Sequence, residues 1–190
     1  MYSFSNPHIT IAGTADISAI TRLLNMAYRG ESSKLGWTTE AHLIAGDTRT
    51  DERNVGELMQ QPGSIFLKYT NPEKAVTGCV NLQQQADKIY LGMLSVKPEM
   101  QGKGIGKYLL QAADEYAKQL KSKAIYMSVI SLRTELINWY TRHGYADTGE
   151  RKPFAEDGLT GKHLQVLEFM IMEKPILPMI NLATVNDIPK

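Results

Sequence analysis

Residues 101–106 read Gln-Gly-Lys-Gly-Ile-Gly, with glycine at 102, 104 and 106. Upstream, Ile89 to Val96 (IYLGMLSV) is apolar on both faces, as in a central strand covered from both sides, and Pro98 stops its ladder. Downstream, Ile105, Tyr108, Leu109, Ala112, Ala113, Tyr116, Ala117 and Leu120 follow the i, i+3, i+4 spacing of an amphipathic helix. A strand therefore feeds the glycines and a helix leaves them. The free N–H groups of a first helical turn point into such a loop, and the helix dipole favours negative charge there. Glycine lets a ligand reach the backbone with no Cβ in the way. Lys97, Lys103 and Lys107 add positive charge around it. Taken alone, the glycines also fit a plain connecting turn.

Two phosphate-binding signatures are excluded. The GxxxxGK[ST] loop is absent. The dinucleotide GxGxxG has a different third spacing, and no early βαβ unit precedes these glycines.

Outward from the loop, the same patterns order the rest of the chain. Ile9 to Ala12 reads as a strand, with Thr14 able to cap the helix that carries Ile17, Ile20, Leu24, Ala27 and Tyr28 on one face. Trp37-Thr38-Thr39-Glu40 resembles a cap that opens a short helix ended by Gly46, and Asp51 to Gln60 reads as a second one. Ser64 to Tyr69 is a strand. Ala75 to Gln83 alternates Val76, Gly78, Val80 and Leu82 with Thr77, Cys79, Asn81 and Gln83, the period of a half-buried strand. Ala124 to Ile130 is a strand, Thr134 to His143 a helix with Gly144 at its left-handed cap, and Leu164 to Met172 a last strand. The pattern is that of an α/β chain with an antiparallel front half.

The 190 residues suit one domain with a full core, and the net charge of +1 gives no basic excess for nucleic acid. No apolar run is long enough to span a membrane, and the N-terminus lacks the charged and apolar regions of a secretory signal. The one cysteine, Cys79, forms no internal disulfide, so a reducing, cytoplasmic compartment is expected. Its strand context, with no histidine nearby in sequence, favours a plain thiol over a nucleophile. No Cys, His or carboxylate cluster has metal-ligand spacing.

The loop also matches Q/R-x-x-G-x-G/A. Leu94-Ser95-Val96-Lys97-Pro98 stands before it and Tyr108-Leu109-Leu110 after it. With Ala15-Asp16-Ile17 early in the chain and Trp139-Tyr140-Thr141-Arg142-His143-Gly144-Tyr145 late, the order and spacing resemble the GNAT superfamily of acetyl-CoA-dependent N-acetyltransferases. The resemblance covers residues 1–174 and leaves 175–190 as a C-terminal extension. It implies a mixed, mostly antiparallel sheet with a central splayed strand pair and helices on both faces. It implies acetyl-CoA as co-substrate, its pyrophosphate held by backbone N–H groups of Gln101, Gly102, Lys103, Gly104, Ile105, Gly106 and Lys107. Lysines 103 and 107 are also candidates for direct phosphate contact. Backbone groups of Leu94, Ser95 and Val96 would face the pantetheine arm, one N–H meeting the thioester carbonyl as an oxyanion donor.

Tyr140 aligns with the tyrosine that many family members use as general acid, since a phenol donates while neutral. The family's two usual places for a basic glutamate hold Tyr90 and Ser128 here. Glu168, on a face with Val166, Met170 and Met172, reads more readily as a solvated edge-strand carboxylate than as the base. His42 and His163 are further candidates, and a water chain needs no dedicated residue. Arg133 stands where many relatives carry asparagine, and it could meet a phosphate instead.

By the same resemblance, the segment after the first helix walls the acceptor site. Glu31 or Glu40 could draw an ammonium group there, and Trp37 could stack on it. An alternative role for Trp37 is to anchor its loop. Tyr126 and Ser128 are expected to face the acceptor, a small-molecule amine or amino-acid-like compound. Ile176, Leu177, Met179 and Ile180 could dock on the body or on a second copy, which would make a homodimer.

Overall fold

A computed structural model of the chain describes residues 2–177. The elements are β1 (Ile9–Ile11), α1 (Ile17–Tyr28), α2 (Gly30–Ser33), β2 (Ile44–Ala45), α3 (Glu52–Gln60), β3 (Ser64–Thr70), β4 (Val76–Gln85) and β5 (Lys88–Val96). They continue with α4 (Ile105–Gln119), β6 (Ala124–Ile130), α5 (Thr134–Arg142), β7 (Ala146–Phe154), β8 (Lys162–His163) and β9 (Leu167–Pro175). One seven-stranded sheet runs β1-β3-β4-β5-β6-β9-β7, and β2 pairs with β8 apart from it. Every neighbouring pair in the large sheet is antiparallel except β5 and β6, which α4 joins by a crossover.

Helices cover both faces of this mixed α/β sheet. Successive residues of β3 and β4 point to opposite sides: Leu67 and Val80 join the core under α4, while Phe66 and Cys79 join the one under α1 and α3. The expectation of a half-buried β4 is thereby corrected. Thr77, Cys79 and Asn81 are as buried as their apolar neighbours because α1 and α3 close that face. Cys79 is fully buried, and burial pushes its thiol up to about 12, away from nucleophilic use.

Two local features position the site. The ladder between β5 and β6 runs only from Lys88↔Ala124 to Tyr90↔Tyr126, so the strands part beyond Tyr90. Between Cys79 and Asn81 of β4, the partner strand β5 inserts an extra residue, with Met93 at φ +54°. This bulge turns the end of β5 away from β6.

The first half departs from expectation around the helices. Thr14 lies inside a single 3-10 turn and caps nothing, and it is Asp16 that accepts from the Gly13 N–H at 2.9 Å. The helix expected from Trp37 to Gly46 does not form. Leu43 and Ile44 are instead buried with Ile130 and Leu167, and Ile44–Ala45 pairs with Lys162–His163. Asp51 does cap α3, accepting from the Asn54 N–H at 2.7 Å, and Gly144 takes the left-handed conformation at φ +91° after α5. The last strand starts at Leu167, and Val166 is fully exposed before it. β9 extends through Pro175, and Ile176 packs against the core, its N–H donating to the Lys123 carbonyl. Met179 and Ile180 lie outside the described residues.

Candidate active site

The loop after β5 carries a row of backbone donors. Gly102 and Gly104 sit at φ +78° and +83°, a region that L side chains rarely adopt. This conformation starts α4 without any side-chain cap. Among the described residues, none of the N–H groups from Gly102 to Lys107 donates to a protein acceptor; the next, Tyr108, bonds the Gly104 carbonyl. A Cβ built on Gly102 would meet nothing within 4 Å. The row is open, a geometry that suits an anion.

Behind it lies a cavity of about 410 Å³, lined by Gly102, Gly104, Gly106 and Lys107 at one end and by Leu94, Tyr28 and Tyr140 at the other. Trp37 and Trp139 close its side with ring centroids 5.8 Å apart. Gln101 ties this wall together. Its Oε1 accepts from the Trp37 N–H at 2.9 Å, and its Nε2 donates to Thr38 Oγ1 at 2.9 Å and to the Val96 carbonyl at 3.1 Å. Leu94, Val96, Gln101, Gly102, Gly104, Ile105, Gly106 and Lys107 thus all line one cavity. Ser95 and Lys103 do not: the Ser95 side chain is buried behind β5, and Lys103 Nζ lies 3.4 Å from Met100 Sδ. Lys97 is paired with Glu99.

A second, smaller cavity of about 100 Å³ opens where β5 and β6 part, lined by Tyr90, Ser128, Arg49 and Glu40 among others. A third of about 260 Å³ continues outward past Arg49, Tyr90, Asn54, Asn81, Gln83 and Asp157. Tyr28, Leu94, Leu136 and Tyr140 line both the first and the second cavity. They form the wall between the glycine loop and the split in the sheet.

Tyr140 is the chemically notable member of this wall. The residue is 6% exposed, and no protein partner for its hydroxyl is found among the described residues. Burial, with Tyr28 and Tyr145 nearby, holds the phenol well above its usual value, so it is neutral and proton-bearing at neutral pH. Tyr28 is engaged differently: its hydroxyl donates to the Leu94 carbonyl at 2.6 Å, and burial pushes it up to about 12. One phenol is thus a fixed strut at the bulge, and the other is a donor facing open space.

The acidic residues expected to bind an acceptor have other partners. Glu40 receives the buried Arg29 guanidinium at 2.5 Å, and Arg29 also donates to the Thr160 carbonyl at 3.0 and 3.1 Å. Arg133 is equally buried. It bonds Glu135 at 2.8 Å and the carbonyls of Trp37 and Thr38, with Glu40 at 3.8 Å, so its guanidinium braces the 37–38 segment and does not reach for a phosphate. Glu31 is on the surface, paired with Lys34. Trp37 sits on the wall of the loop-side cavity and not in the split. Ser128 lines the split, whereas Tyr126 lies beside it, its hydroxyl donating to Gln85. Glu168 is exposed and accepts from Ser131 Oγ at 3.3 Å; β9 is an interior strand, so the edge placement expected for it is corrected. His42 is exposed, and the His163 ring packs edge-on against Phe154.

The sequence profile of the acetyltransferase (GNAT) family matches residues 20–145, which include the glycine loop, the bulged strand and Tyr140. The chain belongs to this family. Its GNAT fold recurs in solved structures of low identity. The ribosomal-protein-S18-alanine N-acetyltransferase from Escherichia coli is 17% identical with a TM-score of 0.65, over 92% of this chain and 97% of that one. A ribosomal-protein-alanine N-acetyltransferase from Brucella melitensis is 21% identical with a TM-score of 0.66, over 89% and 99%. A phosphinothricin acetyltransferase from Sinorhizobium meliloti, solved with acetyl-CoA, is 17% identical with a TM-score of 0.66, over 88% and 87%. Among curated protein sequences none matches. The GNAT profile ends before Asp157–Thr160, so one wall of the outer cavity lies beyond the matched residues.

Proposed function

We propose that the protein is an N-acetyltransferase that moves the acetyl group of acetyl-CoA onto the primary amine of a small molecule, in a direct ternary complex. The observation that carries this reading is the position of Tyr140, whose unpartnered hydroxyl lies on the wall shared by the loop-side cavity and the split between β5 and β6. The residues fit the co-substrate. The open N–H row from Gly102 to Lys107 suits a diphosphate, and the apolar side of the cavity, with Leu94, Val96, Leu136 and the two tryptophans, suits a pantetheine arm. Acetyl-CoA supplies a thioester, an acyl donor whose leaving group is a thiolate.

The chain's own residues then divide the work. The split receives the amine, which must first lose a proton, because an alkylammonium has a pKa near ~10. Glu40 is the one carboxylate lining the inner cavity, and Arg29 already holds it. Proton removal through water in the polar outer cavity is the route the site offers. As the C–N bond forms and the C–S bond breaks, the electron pair leaves with sulfur. Tyr140 gives that sulfur its proton and is reprotonated by the proton that the new amide nitrogen sheds. A backbone N–H at Leu94, Ser95 or Val96, past the bulge, would serve the thioester oxygen.

Two expectations accompany this reading. The clamp made by Gln101 should matter to co-substrate binding. Gln101→Ala removes three hydrogen bonds from the cavity wall. It is expected to weaken acetyl-CoA binding roughly tenfold by calorimetry, with kcat much less affected. The pH profile should rise with pH as the amine deprotonates. It should show no fall up to about pH 10, because the Tyr140 phenol is held above its usual value and keeps its proton. A descending limb near pH 7 to 8, absent in Tyr140→Phe, would remove this assignment.

A non-catalytic acyl-CoA-binding module is the alternative, favoured by the lack of a carboxylate at Tyr90 and Ser128. Amine-dependent release of CoA thiol, followed across amines, amino acids and short peptides, decides between the two. A reducing, cytoplasmic setting suits the lone buried thiol, and the exposed Leu177 is the remaining described candidate for contact with a second copy.

A further inference from the structure

We infer that the acceptor bears a carboxylate close to its amine, and that Arg49 binds it. This rests on the acetyl-transfer reading of the site and narrows its substrate class. Arg49 lines both cavities on the acceptor side, and the inner one also contains Tyr140 and Ser128. Its backbone is held in place: the Asn25 side chain accepts from the N–H groups of Arg49 at 2.6 Å and Thr50 at 3.0 Å, and donates to the Thr50 carbonyl at 3.0 Å. The guanidinium lies 5.8 Å from the centroid of the Tyr28 ring, the same phenol that props the Leu94 carbonyl at the bulge.

What distinguishes Arg49 is the absence of a partner. Arg133 lines the inner cavity and Arg29 lies behind Glu40 on its wall, and both are saturated by carboxylates and carbonyls. Among the described residues, no carboxylate pairs with the Arg49 guanidinium and no acceptor receives its N–H groups. Asp157 shares the outer cavity and feels the Arg49 charge, but forms no ion pair with it. Its Oδ1 already accepts from the N–H groups of Leu159 and Thr160 and from Thr160 Oγ1, at 2.8 to 2.9 Å. Asn54 lines the same cavity: its Oδ1 accepts from Thr50 Oγ1 at 3.0 Å, and its Nδ2 group has no acceptor among the described residues.

An unpaired guanidinium in a half-enclosed site attracts a carboxylate by paired, charge-assisted hydrogen bonds. It also repels a bare ammonium compound. Arg49 therefore selects a zwitterion, whose carboxylate it holds while the amine reaches towards Tyr140, over polyamines and other purely cationic amines. The class is a free amino acid or a close analogue.

The test is calorimetric binding to the CoA-saturated protein. The probes are free amino acids, their amides, their decarboxylated amines, and an amidated peptide with an N-terminal aspartate, which separates a side-chain carboxylate from that of a free amino acid. At least one free amino acid is expected to bind more than about tenfold tighter than its amide and its decarboxylated amine. Arg49→Gln should abolish that preference, a loss of roughly ten- to a hundredfold for the acid, while CoA binding and thermal midpoint stay near wild type. Arg49→Lys should keep part of it. Equal binding of acid and amide, a preference that survives in Arg49→Gln, a preference for the aspartyl peptide, or no binding of any free amino acid overturns the inference. Acetyl transfer is read separately. Carboxylate-dependent binding without transfer would sink the enzymatic reading and leave the Arg49 site standing. Transfer with no preference for acids would do the reverse.

Discussion

Tyr140→Phe is expected to lower kcat by roughly 10²- to 10⁴-fold, the range for loss of a positioned general acid, while acetyl-CoA affinity changes by no more than about twofold. The split between the two parameters follows from the geometry. The substitution removes only the hydroxyl. The ring remains between Trp139 and Tyr145, at centroid distances of 5.1 and 5.8 Å, so the cavity wall keeps its shape. Because no protein acceptor uses the hydroxyl among the described residues, the variant leaves no partner stranded and should not lose stability. Stopped or steady-state thiol release gives kcat, and calorimetry gives the affinity. Unchanged kcat would take Tyr140 out of the mechanism.

Arg29→Met is expected to destabilise the protein by about 3–5 kcal/mol, the usual cost of removing one partner from a buried ion pair. The Arg29 side chain is 0% exposed and that of Glu40 is 12% exposed, so water cannot replace the lost contact. The variant also strands the Thr160 carbonyl that Arg29 bonds twice. Removing both charges, as Arg29→Met with Glu40→Leu, should recover part of the loss, because no unpaired carboxylate is then left buried. Arg133 keeps Glu135 and the carbonyls of Trp37 and Thr38 in either variant. Urea unfolding at constant m reads the difference. A single variant as stable as wild type would show that the pair carries no such role.

The elements that sequence reading locates are those whose signal is local. Strand β5, the glycine loop and α4 announce themselves by an apolar run, three glycines and a clean helical period, and together they place the open N–H row. Helix α5 and its glycine cap are a short, well-marked unit, but Tyr140 is singled out on it only by the resemblance to the family. The acceptor side is not legible. The stretch from Trp37 to Gly46 reads as a capped helix, but Leu43 and Ile44 within it are buried by Ile130 and Leu167, far along the chain, and a strand pairing with Lys162–His163 settles the local backbone. Glu40 reads as a free carboxylate until Arg29 and Thr160 are brought beside it. Arg49 stands in the patternless stretch Gly46-Asp47-Thr48-Arg49-Thr50, and no period marks it. Its cavity is assembled from α3, β4, β5 and the loop at Asp157, so only the fold reveals that its guanidinium forms no ion pair among the described residues.

The most direct test of the account is an amide-resolved NMR titration of the protein with acetyl-CoA. The open N–H row predicts that the largest shifts fall on Gly102 through Lys107, moving together at one affinity, with smaller changes at Leu94 and Val96. Saturable binding that leaves the amides of 102–107 unmoved, or no binding at all, would contradict the claim that this loop is the co-substrate's cradle.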